Sequence, residues 1–88
     1  MRTVRLMTDH FSDWPLWCGG GTGQDAWPML SDDLQRALNA WNEFWYDNFD
    51  LRDGWAPGTH NAFIAEGQRL RDALELELGS DYEVRLVV

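Results

Sequence analysis

The stretch from Leu34 to Phe49, LQRALNAWNEFWYDNF, decides the fold. With about 3.6 residues per turn, Leu34, Leu38, Trp41 and Trp45 fall on one narrow stripe. Ala37, Phe44 and Phe49 flank that stripe, and Arg36, Asn39, Glu43 and Asp47 lie opposite. The pattern predicts an amphipathic helix that supplies much of a small core. Just ahead of it, the Ser31 hydroxyl is placed to accept from an orphan amide of the first turn, and Asp32 and Asp33 face the positive end of the helix dipole. The helix therefore begins near residue 31 and fades after Asp47.

Downstream, Asp50, Asp53, Gly54 and the Pro57-Gly58 pair form a turn-rich connection. Thr59 or Asn61 is the expected cap of a second helix whose stripe is Phe63, Gly67, Leu70, Leu74 and Leu78. Gly67 in that stripe costs about 1 kcal/mol of helix propensity relative to Ala. Close approach of a bulky neighbour would offset that cost, and the first helix offers Trp41 and Trp45. Ala62, Ala65, Ala73 and Leu76 make a weaker second face, Arg71 and Glu75 are spaced for an i,i+4 contact, and Gly79 ends the helix.

Both ends of the chain read as strands. Val4 and Leu6 alternate with Thr3, Arg5 and Met7, while Tyr82, Val84, Leu86 and Val88 alternate with Glu83, Arg85 and Val87. The expected fold is a single α+β domain over residues 1–88, ordered strand, loop, helix, helix, strand, with the helix hairpin packed on a small antiparallel sheet. In this reading the two terminal strands run antiparallel and turn Val4, Leu6, Val84 and Leu86 toward the helices. A lone strand pair is marginal and leaves two open edges, so a third strand from the 13–18 region, or a second chain, is expected to complete the sheet.

Composition bounds the function. Fifteen acidic residues against seven Arg and no Lys give a formal net charge of -8. A surface of that sign repels phosphate backbones and anionic lipid, which excludes nucleic acid and membrane as expected partners and favours a basic protein. The single cysteine, Cys18, forms no internal disulfide, the N-terminal segment lacks the apolar run of a signal peptide, and no stretch reaches the length of a membrane span. A cytoplasmic protein is the expectation.

Constellations for chemistry are weak. Asp9, His10, Asp13, Cys18 and His60 include zinc-ligand types but match no compact zinc spacing. The CGGGTG run at 18–23 lacks the Lys and Ser or Thr of a phosphate-binding loop. Asp47, Asp50 and Asp53 depart from the calcium loop, with Gly58 where its closing Glu belongs, and read as a solvated acidic turn. No metal, cofactor or catalytic residue is assigned.

The six Trp say more. Trp41 and Trp45 are core by periodicity, whereas Trp14, Trp17, Trp27 and Trp55 lie in loops. Exposed Trp beside acidic residues is the composition of a binding surface, against the alternative that the rings fold back over the core. The residues singled out for a partner surface are Trp14, Trp17, Trp27, Trp55, Asp50 and Asp53.

Leu-x-x-x-Leu-x-x-Trp-Asn at 34–42, Phe-Asp at 49–50, Gly-Trp at 54–55, and Glu-Leu-Gly followed by Tyr-Glu-Val over 77–84 resemble small uncharacterised proteins common in actinobacteria. Asp-Trp-Pro-Leu-Trp at 13–17 is similar to their N-terminal segment. The resemblance implies no activity and transfers no functional residue. The leading expectation is a non-enzymatic acidic module for a basic protein partner, such as an inhibitor or an immunity-type protein. The alternatives are a small-molecule or metal-binding protein with a site near the 18–23 glycine loop, and a self-associating domain that forms a homodimer through its sheet edges.

Overall fold

A computed structural model describes residues 2–10, 12–19 and 23–88. Strand β1 (Arg2–Leu6) is followed by the short β2 (Leu16–Trp17), helix α1 (Asp32–Asn48), the paired two-residue strands β3 (Phe49–Asp50) and β4 (Gly54–Trp55), helix α2 (Thr59–Leu78) and β5 (Tyr82–Leu86). The architecture is α+β, with a helix hairpin on a sheet of order β2-β1-β5 and a separate β3-β4 ribbon.

Helix α1 starts where its sequence says it should. The Ser31 hydroxyl accepts from the Leu34 amide at 3.2 Å, and the stripe of Leu34, Leu38, Trp41 and Trp45 is buried. The Glu77 carboxylate, near the end of α2, accepts from the Ser31 amide at 2.8 Å and from its hydroxyl at 2.7 Å, which ties the start of one helix to the end of the other. The helices are therefore antiparallel, with Trp41 level with Phe63 and Gly67.

Gly67 is a point of close approach between them. A Cβ there would lie 2.9 Å from Leu86 Cδ1 and 3.0 Å from Trp41 Cζ2, so the missing side chain makes room for both the facing helix and the sheet. The capping expectation for α2 is corrected: neither Thr59 nor Asn61 caps it. Gly58 occupies the N-cap in a left-handed conformation at φ 78°, and the Thr59 hydroxyl turns back to donate to the Ala56 carbonyl at 2.6 Å.

The third strand comes from the 13–18 region as expected. β2 pairs antiparallel with β1, setting Leu6 opposite Leu16 and Arg5 opposite Trp17. The pairing of the terminal strands is a second correction, because β1 and β5 run parallel, in register from Arg2–Tyr82 to Leu6–Leu86. The reason is a count of reversals. A route from β1 through one helix hairpin to β5 turns the chain three times and would deliver β5 antiparallel. β2 adds a fourth reversal before α1 begins, so β5 arrives parallel to β1. Val4, Leu6, Leu16 and Val84 are buried on the helix side, while Thr3, Arg5, Glu83 and Arg85 line the opposite face, which no helix among the described residues covers.

Candidate functional site

The end of the hairpin where α1 passes into α2 concentrates aromatic and acidic groups. Phe49 and Asp50 pair with Trp55 and Gly54, so the chain reverses across Leu51, Arg52 and Asp53. The reversal is held by Asp50, whose Oδ1 accepts from the Arg52 amide at 2.6 Å and the Asp53 amide at 3.0 Å. Those two amides hold the Asp50 carboxyl below the usual aspartate range, so it stays ionised. Leu51 at the tip is 77% exposed.

A cleft of about 470 Å³ opens beside this ribbon, walled by Tyr46, Phe49 and Trp55 and rimmed by Asp47, Asp50 and Asp53. None of these three carboxylates takes part in an ion pair found among the described residues. Asp47 also sits in the last turn of α1, which carries no basic residue, so its charge faces the negative end of the helix dipole. Tyr46 closes one side, its hydroxyl donating to the Asp9 and Ser12 carbonyls at 2.9 and 3.2 Å. Burial, then Asp13 and Asp9, push that phenol up.

Trp55 is a shared wall. Behind it lies an apolar recess of about 300 Å³ that includes Trp45, His60 and Phe63. The His60 ring stacks on Trp55 at 4.9 Å and 11°, Phe63 tilts against it at 4.8 Å, and Phe49 meets it at 5.3 Å before stacking on Trp45 at 5.5 Å. A half-buried indole is thus held rigidly next to unpaired carboxylates, an arrangement suited to a cationic side chain that needs both a π face and counter-charge.

The other residues singled out from the sequence lie elsewhere. Trp14 and Trp27 are core, 3% and 5% exposed, so their rings are withdrawn from the surface. Trp14 is carried inward with Pro15 and Leu16 as β2 joins the sheet, and Trp27 packs toward Tyr82. Trp17 is half-buried on the uncovered face beside Arg5, its Nε1 donating to the Met7 carbonyl at 3.1 Å. Trp55, Asp50 and Asp53 do come together. Tyr46 lines the same cleft unforeseen, and so does Asp47, which the sequence grouped with Asp50 and Asp53 as an acidic turn without assigning it to the partner surface.

His10 lies against Trp45 at 4.6 Å, and Cys18 sits with Arg2, Trp27 and Tyr82, at the other end of the sheet from His60. No group of three or more His, Cys, Asp or Glu among the described residues is placed to hold a metal ion. Within the 18–23 glycine run, Gly20, Gly21 and Thr22 lie outside the described residues. Among the described residues no helix is long and apolar enough to cross a membrane.

A helix hairpin on a sheet with one bare face, ending in an acidic aromatic cleft, has the build of a small protein-binding module. A family model described as Serratia CdiI immunity protein-like matches residues 2–87, and the chain belongs to that family. No curated protein matches it.

Proposed function

We propose that this protein is a non-enzymatic immunity-type inhibitor that binds a basic toxin in the cytoplasm through the cleft around Trp55. Membership of an immunity-protein family over residues 2–87 carries the reading, since a protein of that class acts by occupying a protein partner. The net charge of -8 and the unpaired Asp47, Asp50 and Asp53 support a basic partner. In this reading a Lys or Arg of the toxin enters the cleft against Trp55, and the exposed Leu51 at the tip of the β3-β4 turn supplies an apolar contact outside it. The test is calorimetric titration with its cognate toxin, over a range of salt. Affinity should fall as salt rises and drop at least about tenfold in the Asp47→Asn, Asp53→Asn double variant. An affinity indifferent to both would reject the cleft as the binding face.

We also infer that the protein self-associates through a sheet edge. One observation favours this: β5 is an outer strand, and among the described residues no strand pairs with its far side.

A further inference from the structure

We infer that β5 pairs antiparallel with β5 of a second copy about a two-fold axis through Val84, giving a closed dimer with one continuous sheet. This rests on the reading that the protein self-associates, and adds the surface, the register and the reason that assembly stops at two.

The backbone decides which groups are free. In the parallel ladder the Arg2 amide donates to the Asp81 carbonyl and the Val87 amide to the Leu6 carbonyl, each at 2.9 Å. Positions 81, 83, 85 and 87 therefore turn their backbone groups toward β1, and Tyr82, Val84 and Leu86 turn theirs outward. The Tyr82 amide is taken by the Gly79 carbonyl at 3.3 Å. Among the described residues, no backbone partner is found for the Tyr82 carbonyl or for either backbone group of Val84 and Leu86, which face the outer edge.

The side chains then choose among pairings. Glu83 and Arg85 stand together on the uncovered face, joined by Arg85 Nε donating to Glu83 Oε1 at 3.0 Å. With the axis at Val84, each Val84 exchanges two hydrogen bonds with its counterpart, Tyr82 lies opposite Leu86, and Glu83 lies opposite Arg85. Both cross-strand charge pairs are then of opposite sign, and the Glu83–Arg85 contact within each chain becomes a network of four charges. A parallel in-register pairing would set Glu83 against Glu83 and Arg85 against Arg85, which like-charge repulsion opposes. The same face serves both chains, so the contact is isologous and uses up both β5 edges. The remaining edges belong to β2, only two residues long, and offer little to a third copy.

Sedimentation velocity from low-micromolar to near-millimolar protein tests this, with far-UV circular dichroism confirming that each variant folds. Glu83→Arg alone and Arg85→Glu alone should each weaken the dimer by about tenfold, since two pairs turn repulsive at once. The double exchange E83R/R85E should restore it. An equimolar mixture of the two single variants should form a heterodimer, because every cross-strand pair is then again of opposite sign. A monomer at every concentration would overturn both the register and the self-association. A dimer unmoved by the single exchanges would overturn the β5 register while leaving self-association through another surface standing.

Discussion

Trp41 is fixed to Phe63 in two ways at once: the rings stack at 4.3 Å and 8°, and the Trp41 Nε1 donates to the Phe63 carbonyl at 2.9 Å. One side chain of α1 thus grips both the side chain and the backbone of α2, which sets the helices at a defined height as well as a defined distance. Trp41→Phe retains a ring but loses the hydrogen bond and part of the volume. It is expected to lower the unfolding free energy by about 1–3 kcal/mol in urea titrations. A loss within error of zero would mean that the grip is not a source of stability.

Gly67→Ala tests the fit from the other side. Helix propensity alone would raise stability by about 1 kcal/mol. The added methyl, however, meets Leu86 Cδ1 at 2.9 Å and Trp41 Cζ2 at 3.0 Å, and Trp41 is held in place by Phe63. Overpacking of this kind costs about 1–3 kcal/mol, so the variant is expected to be less stable than the parent by thermal melting despite the better helix former.

These two positions also show how much was legible in advance. The stripe on α1, the Ser31 cap and the need for a bulky neighbour at Gly67 all followed from local periodicity and propensity, and all three are present. What periodicity does not carry is the count of chain reversals. The 13–18 strand was expected, but the reversal it adds by folding back antiparallel on β1 ahead of α1 was not counted, and without it the direction of β5 comes out inverted. Side-chain type was equally silent on Trp14 and Trp27, whose burial depends on where the β2 segment and the loop before α1 land. Within the site, Trp55, Asp50 and Asp53 were chosen as loop aromatics and acids. Leu51, on the turn that adjoins the site, escaped because an apolar residue among charges looks like a buried one until the turn places it at the tip.

Asp47 is expected to work against stability and for binding. Its charge at the C-terminal end of α1 opposes the dipole, so Asp47→Asn should raise the unfolding free energy by about 0.3–0.5 kcal/mol, more at low salt than at high. The same variant should bind the toxin less well. If stability and affinity rose together, Asp47 would have no part in partner recognition.

Leu51 separates the two properties differently. Being 77% exposed, it should tolerate Leu51→Ala with a change in stability of no more than about 0.5 kcal/mol. Its removal from the tip of the β3-β4 turn should nevertheless shorten the lifetime of the complex, read as a faster dissociation rate in surface-binding kinetics.

Asp50 gives a pH signature of fixed sign. Because the Arg52 and Asp53 amides hold its folded-state pKa below the unfolded value, the stability it contributes is present above the unfolded value. That contribution is lost as pH falls through the folded one. Carbon-detected titration should place the Asp50 carboxyl midpoint below that of an ordinary aspartate. A midpoint at or above the ordinary value would mean that the turn does not hold in solution.

The parallel joining of β1 to β5 has a consequence for timing. Arg2 finds its partner only at Tyr82, so during synthesis this end of β1 waits for β5 to emerge from the ribosome. The helix pair, whose contacts are nearer in sequence, is free to assemble earlier. A sheet closed in this way is completed last, after both helices have formed, so any surface that depends on β5 matures only once that strand docks.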